Sequence, residues 1–133
     1  MDAETRVYFA EIIARAEAIL EGVEYDFDVT PERAILRLQA SYGRYQVFVT
    51  ELLSIDARKY RYYILDGDRV EAGFDNSPDP RAIRLKYGRI GAEHVGEPVP
   101  HVHLEDKTRL SLTEEMSFEA FIDWLQIKIP REK

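Results

Sequence analysis

The hydrophobic and polar positions of the first 21 residues repeat with the period of an α-helix. Charged side chains lie on one side of this pattern, and the apolar side consists of Tyr8, Ile12, Ala16, Ile19 and Leu20. The pattern predicts an amphipathic helix over residues 3–21. Asp2 is in the position of an N-cap, and Gly22 is in the position of a helix stop.

After Gly22 the pattern changes to the two-residue period of β-strands. Residues 23–29 alternate strictly between apolar and acidic side chains, which predicts a half-buried strand with a row of carboxylates on its outer face. Further strands are predicted at residues 34–40, 45–55, 58–65 and 69–74. Tight turns at Gly43 and Asp66-Gly67 join them, so we expect an antiparallel meander of about five strands.

The last third of the chain predicts a loop-rich segment followed by a helix. Residues 75–100 contain four of the six prolines and three of the seven glycines, with a short regular element expected at 82–87. Ser117 is a plausible N-cap for a second amphipathic helix, and Pro130 ends that helix before a fraying tail at 131–133. The whole chain, residues 1–133, is therefore expected to be one α+β domain with the C-terminal helix packed on the sheet.

Composition narrows the class of protein. The chain has no cysteine, which excludes disulfides, thiol chemistry and zinc–thiolate sites. It has no apolar stretch of bilayer length and no secretory signal, so we expect a cytoplasmic protein without a membrane partner. The net charge of −7 argues against nonspecific binding of nucleic acid. Locally basic segments at 58–63 and 81–89 leave open a nucleic-acid contact or an acidic protein partner.

The candidate chemistry is concentrated after the fifth predicted strand. In an extended segment His101 and His103 point to the same side, where they could act as acid and base or chelate a metal with Asp75. Because His94, the third histidine, lies in a glycine-flanked loop, the spacing favours a site without metal. The alternative interpretation is a pair of exposed histidines beside a turn.

Two neighbouring segments supply polar and aromatic groups. Asp75-Asn76-Ser77-Pro78 is a turn sequence that places a carboxylate and an amide where a strand ends. In the preceding strand, alternation puts Tyr62 on one face and Arg61 on the other. Interleaved tyrosine and arginine side chains can stack bases and hold phosphates, although cross-strand packing produces the same pattern.

These motifs together resemble the TumE-type toxins of bacterial and archaeal toxin–antitoxin systems. The resemblance rests on the Tyr/Arg-rich strand, on Phe74-Asp75-Asn76-Ser77-Pro78, and on Pro100-His101-Val102-His103 before a C-terminal helix. Asp79 stands where the family motif has a histidine. The resemblance implies a cytoplasmic toxin that is paired with a small helix-turn-helix antitoxin and acts on RNA.

The resulting hypothesis is a ribonuclease that needs no metal or other cofactor. His101 and His103 would share the acid and base roles, Asp75 would orient a histidine, and Arg61 would stabilise charge on the phosphate. The residues expected to bind the substrate are Arg58, Tyr62 and Asn76. Two alternatives remain: a non-catalytic module whose basic hairpin binds an acidic partner, and a metal-dependent hydrolase that uses the histidine pair with Asp75.

Overall fold

The computed structural model describes residues 3–130, so the predicted N-cap Asp2 and the predicted tail 131–133 lie outside the described residues. The helices are α1 (Ala3–Ile19), α2 (Pro80–Tyr87) and α3 (Phe118–Lys128). The strands are β1 (Glu21–Val29), β2 (Arg33–Tyr42), β3 (Tyr45–Ser54), β4 (Ala57–Asp66), β5 (Arg69–Asp75), β6 (His101–Leu104) and β7 (Arg109–Leu112). The α+β class and the two terminal helices are confirmed.

The sheet is a single antiparallel meander in which β1 to β7 lie side by side in chain order. The prediction of about five strands was too low, because β6 and β7 have only four residues each. Such short strands carry too little alternation to be recognised within a loop-rich segment. Their order still follows from short connections, since β6 and β7 are joined by a four-residue turn at 105–108.

Gly22 does not end the first helix. Helix α1 ends at Ile19, and β1 has already begun at Glu21. Gly22 has a φ of 61°, at the point where the register between β1 and β2 shifts. A left-handed backbone conformation is easy for glycine and is typical of a β-bulge, so Gly22 bends the strand that follows the helix.

Helices α1 and α3 cover one face of the sheet, and the main hydrophobic core lies between these helices and the sheet. Helix α3 contributes Phe121, whose ring centroid is 5.1 Å from that of Tyr62 on β4 and 6.0 Å from that of Phe74 on β5. The cover is thinner over the edge strand β1, where Tyr25 and Phe27 remain 48% and 44% exposed. The predicted half-buried strand is therefore the least buried part of the sheet.

The opposite face of the sheet, which we call the open face, is exposed over its central strands. Its side chains there are Arg37, Gln39, Phe48, Thr50 and Arg61, and the buried Tyr63 lies on the same face. Only the β6–β7 end is covered, because Ala82 and Ile83 of α2 form a small apolar cluster with Val99, against which Leu110 of β7 packs. The segment between β5 and β6 thus folds back over the histidines of β6.

Among residues 3–130, no helix is long and apolar enough to cross a membrane. The longest, α1, has 17 residues and carries charged side chains along its exposed side.

Candidate functional site

Neighbouring strands bring Asp75, His101 and His103 together on the open face. Asp75 at the end of β5 pairs directly with His101 at the start of β6, and His103 lies two residues further along β6. The Nε2 atom of His101 lies 3.2 Å from Oδ1 of Asp75 and 3.2 Å from Nε2 of His103. Nε2 of His103 lies 3.9 Å from Oδ2 of Asp75. The prediction that both imidazoles point to one side is confirmed.

The cluster is buried although it lies next to an exposed sheet face. The exposed fractions are 4% for Asp75, 1% for His101 and 5% for His103. The interpretation of the histidines as two exposed residues beside a turn is therefore wrong. Polar groups at this depth are expected to be fully hydrogen-bonded, so the partners of each side chain define the state of the site.

The Asp75 carboxylate is fixed by one donor on each oxygen. The backbone N–H of Ser77 donates to Oδ1 at 2.9 Å, in the turn that the sequence predicts. The hydroxyl of Tyr63 donates to Oδ2 at 3.2 Å from the adjacent strand. Both oxygens keep a free lone-pair direction, and both lie beside the two imidazoles.

The tautomer of His101 follows from its partner in the chain. Its Nδ1 atom lies 2.6 Å from the carbonyl oxygen of Val99, which can only accept a hydrogen bond. Nδ1 therefore carries a proton, and Nε2 of a neutral His101 presents a lone pair toward Asp75 and His103. A backbone carbonyl behind one ring nitrogen is the usual way in which the other nitrogen is prepared as a ligand or a base.

His103 has a different environment. Its Nδ1 atom lies 3.3 Å from Nη2 of Arg81, and a guanidinium can only donate. Nδ1 therefore accepts, and Nε2 of the neutral ring carries the proton that points toward His101. Burial lowers the pKa of His103, and the neighbouring His101 lowers it further against the opposing effect of the two nearby aspartates.

Asp79 closes the cluster from the loop side. Its Oδ1 atom accepts the backbone N–H of Arg81 at 2.8 Å and so caps the N-terminus of α2. Its Oδ2 atom points back to the sheet and lies 3.9 Å from Nε2 of both His101 and His103. The sequence pattern did not identify Asp79 as a site residue, although its position directly before Pro80 marks it as a helix N-cap.

Tyr63 connects the cluster to the open face. The guanidinium carbon of Arg61 lies 4.7 Å from the centre of its ring, and Nζ of Lys107 lies 5.3 Å from it. The ring lies across Gly73, where an added Cβ would come within 2.6 Å of a ring carbon. Gly73 is therefore required for Tyr63 to reach Asp75. The strand alternation that placed Arg61 on this face also places Tyr63 there.

Two predicted substrate-binding residues, Arg58 and Tyr62, lie on the helix-covered face instead. Arg58 forms a two-pronged ion pair with the fully buried Glu51 at 3.0 and 3.1 Å and donates to the hydroxyl of Tyr62 at 2.6 Å. Tyr62 has no exposed surface and also donates to Glu51. Neither side chain reaches the open face, so we assign both to the core.

Asn76, the third predicted substrate-binding residue, has a backbone role. Its Oδ1 atom accepts the N–H of Tyr60 at 3.1 Å, and its Nδ2 atom donates to the carbonyl of Arg58 at 2.8 Å. The side chain thus continues the pairing with β4 for one residue after β5 has ended. Both hydrogen-bonding groups of this amide are used in holding the strand end.

The short distance between the two imidazoles limits their chemistry. An acid and a base that act on opposite sides of one phosphate each need a hydrogen bond of about 2.8 Å to it, which separates them by roughly 6 Å or more. The Nε2 atoms are 3.2 Å apart and point toward each other. The cluster is thus a single centre at which potential ligand atoms of Asp75, His101 and His103 converge, all within 4.8 Å of one another.

Beside this centre the open face forms a shallow groove. One depression of about 350 Å³ is lined by Phe48, Thr50, Arg61, Tyr63 and Leu65. A second depression, of about 400 Å³, continues across β3, β2 and β1, where Arg37 and Gln39 line it together with the carboxylates of Glu24 and Asp26. An extended polymer could lie in this groove with one end at the cluster. Comparison with protein-family models, curated proteins and solved structures found no match to the chain.

Proposed function

We propose that the protein is the toxin component of a toxin–antitoxin pair and that it hydrolyses RNA at the cluster of Asp75, His101 and His103. The observation that carries the proposal is the convergence of these three buried side chains next to an exposed groove, whose lining residue Tyr63 donates a hydrogen bond to Asp75. Buried imidazole and carboxylate groups that converge beside a groove are typical of a reaction centre.

The groove supplies the contacts that a single RNA strand requires. Phe48 is 41% exposed and offers a flat apolar side chain to a base. Arg61 is exposed next to it, in the position to pair with a phosphate. Arg61 pairs with Asp75 across β4 and β5, so a phosphate bound by Arg61 would lie next to the Tyr63 ring that covers the cluster. These contacts agree with the RNA target that the resemblance to TumE-type toxins implies.

The cluster supports hydrolysis better than it supports separate acid and base histidines. Because both Nε2 atoms, Asp75 and Asp79 face one point, they would act together on a nucleophile held at that point. A water molecule there would be oriented by acceptors on several sides. The phosphodiester would bind on the groove side, where Tyr63 and Arg61 lie.

The alternative of a non-catalytic module with an acidic partner has less support. Its basis was the basic segment 58–63, and the charge of Arg58 is neutralised inside the protein by Glu51. The exposed cations of that segment are Lys59 and Arg61, and the open face also carries the acidic row of β1. A surface of mixed charge attracts an acidic protein and RNA equally weakly, so it is the buried cluster, which a binding module does not need, that favours catalysis.

A growth assay tests the proposed function. The protein is expressed alone, together with the product of the adjacent open reading frame, and as the His101→Gln and His94→Gln variants. We expect growth arrest by the wild type and by His94→Gln, because His94 stacks on Tyr87 outside the cluster. The partner and the His101→Gln substitution should each relieve the arrest. Normal growth with abundant folded wild-type protein would contradict the proposal.

A further inference from the structure

We propose that Asp75, His101 and His103 bind one Zn²⁺ ion, with Asp79 at the fourth position. The inference deepens the function proposed above, and it rests on that function for the role of the ion in RNA hydrolysis. The binding itself is argued from the distances, the hydrogen bonds and the burial of the side chains.

Two of the three ligand separations are close to those of a tetrahedral ion, and the third, 3.9 Å between Nε2 of His103 and Oδ2 of Asp75, would close by about 0.5 Å on binding. Zinc lies about 2.0–2.2 Å from imidazole nitrogens and carboxylate oxygens, so two ligand atoms of one tetrahedron are about 3.3–3.6 Å apart. The separations of Nε2 of His101 from Nε2 of His103 and from Oδ1 of Asp75 are both 3.2 Å. The Asp79 Oδ2 atom lies 3.9 Å from both imidazoles, so a shift of about 0.5 Å brings it into the set.

The hydrogen bonds of the cluster leave a place for a positive charge. With Nδ1 of His101 donating to Val99, the lone pair of Nε2 faces Oδ1 of Asp75 at 3.2 Å, and Oδ1 is itself an acceptor. The Nε2–H of His103 faces Nε2 of His101, so a proton can occupy this point, but it does not balance the charge of the buried Asp75 carboxylate. A divalent metal ion at the same point would accept the lone pairs of both Nε2 atoms and balance that carboxylate.

The surroundings support the ligands in the way known metal sites do. The Val99 carbonyl holds the His101 ring by its remote nitrogen, and Ser77 and Tyr63 hold the two oxygens of Asp75. Three of the ligand residues are at least 95% buried, so little entropy is lost when the ion binds. Two imidazoles with carboxylates suit zinc better than Mg²⁺ or Ca²⁺, which prefer oxygen ligands throughout.

Arg81 must move when the ion binds. If Nε2 of His103 coordinates zinc, its Nδ1 becomes a donor and faces the donor Nη2 of Arg81 at 3.3 Å. The Arg81 side chain is 50% exposed, and Nη1 already donates to the carbonyl of Lys107 at 3.2 Å. Rotation of Arg81 toward that carbonyl separates the two donors. Only an exposed side chain then has to change its conformation when the ion binds.

The ion gives the proposed hydrolysis a nucleophile. During cleavage a water molecule would take the fourth position in place of Asp79. The ion would lower the pKa of that water toward 7, and the released Asp79 carboxylate would accept its proton to leave hydroxide. The hydroxide oxygen forms a bond to phosphorus, and the bond from phosphorus to one ribose oxygen breaks. The ribose oxygen takes the proton from Asp79, which leaves one RNA end as a phosphate and the other as a hydroxyl.

Calorimetric titration of chelator-treated protein with zinc chloride tests the site. We expect one Zn²⁺ per chain, an affinity at least 100-fold lower in His103→Gln, and an affinity about 10-fold lower in Asp79→Asn, which retains a capping side chain. The His94→Gln variant should bind as the wild type does. No binding, or binding that is lost in His94→Gln and kept in His103→Gln, would overturn the proposal.

RNA cleavage separates this inference from the proposed function. Chelator-treated protein should lose its cleavage activity and recover it with one equivalent of zinc. Cleavage at an unchanged rate without metal would refute the role of zinc and leave the ribonuclease proposal intact. Stoichiometric zinc binding by a protein that cleaves no RNA would support the metal site and refute the ribonuclease.

Discussion

Arg58 provides the sharpest test of which face of the sheet is structural. Its partner Glu51 has no exposed surface, and the Arg58 side chain is 21% exposed. Removing one member of such a pair leaves a buried charge without compensation, which typically costs about 3–5 kcal/mol. We expect Arg58→Met to lower the free energy of unfolding by about 3 kcal/mol, at the low end because Arg58 is partly hydrated.

The rest of the network sharpens the prediction. Burial alone would lower the pKa of Arg58, but the hydrogen bond and the charge of Glu51 outweigh burial and raise it. Burial, followed by the charge of Glu51, raises the pKa of Tyr62, so this hydroxyl remains a neutral donor to Glu51. Adding Glu51→Gln to Arg58→Met removes the uncompensated charge and keeps an acceptor for Tyr62. The double variant should therefore be more stable than Arg58→Met by about 1–2 kcal/mol.

Urea unfolding followed by circular dichroism measures these differences, and Arg61→Met is the matched control. Arg61 lies on the same strand but is exposed on the open face, so its replacement should change stability by at most about 0.5 kcal/mol. A loss below about 1 kcal/mol for Arg58→Met, or a double variant less stable than Arg58→Met, would refute the structural role of the pair.

Three further predictions concern other elements. Gly73→Ala should displace the Tyr63 ring, because the new Cβ would lie 2.6 Å from that ring. The substitution should lower the free energy of unfolding by about 1–3 kcal/mol and reduce RNA cleavage. Burial and the charge of Glu51 raise the pKa of Tyr8 from 10.0 to about 12, so its contribution to stability is complete below about pH 10 and is lost as the pH rises toward 12. Tyr8→Phe should therefore flatten the fall in melting temperature across that range. Ser117→Ala should lower the free energy of unfolding by about 1 kcal/mol, because the Ser117 hydroxyl caps the N-terminus of α3. Ser117→Asp keeps a capping oxygen and should retain most of that stability.

Each of these three predictions has an outcome that would contradict it. Thermal unfolding and RNA cleavage that are unchanged in Gly73→Ala would contradict the contact between Gly73 and Tyr63. A melting temperature that falls equally steeply between pH 10 and 12 in Tyr8→Phe and wild type would contradict the raised pKa. An unaltered unfolding midpoint in Ser117→Ala would contradict the cap.

The strand pattern predicted much of the sheet because alternation and tight turns are local signals. The hairpin at Asp66-Gly67 and the common orientation of His101 and His103 both follow from a few neighbouring residues. Alternation also separated Tyr62 from Arg61, but it could not say which of them faces the core. That choice depends on α3, which packs Phe118 and Phe121 against Tyr62, and this is a tertiary contact.

The environment of the site was harder to predict than its central residues. Asp75 and the histidines were identified from chemistry and position, but their burial depends on how the segment after β5 folds. Residues 79–100 return over β6, so that Val99 and Arg81 contact the imidazoles. No local pattern fixes the path of such a connection, since it is set by the packing of Ile83 against Val99.

Cleavage of RNA by purified protein is the measurement that tests the cluster most directly. Wild type, His101→Gln, His103→Gln and His94→Gln, each shown to be folded by its melting transition, are incubated with the same RNA and the products are resolved. We expect cleavage by wild type and His94→Gln and a loss of at least 100-fold in both cluster variants. Equal cleavage by a folded His101→Gln or His103→Gln, or no cleavage by the wild type supplied with zinc, would contradict the assignment of the reaction centre.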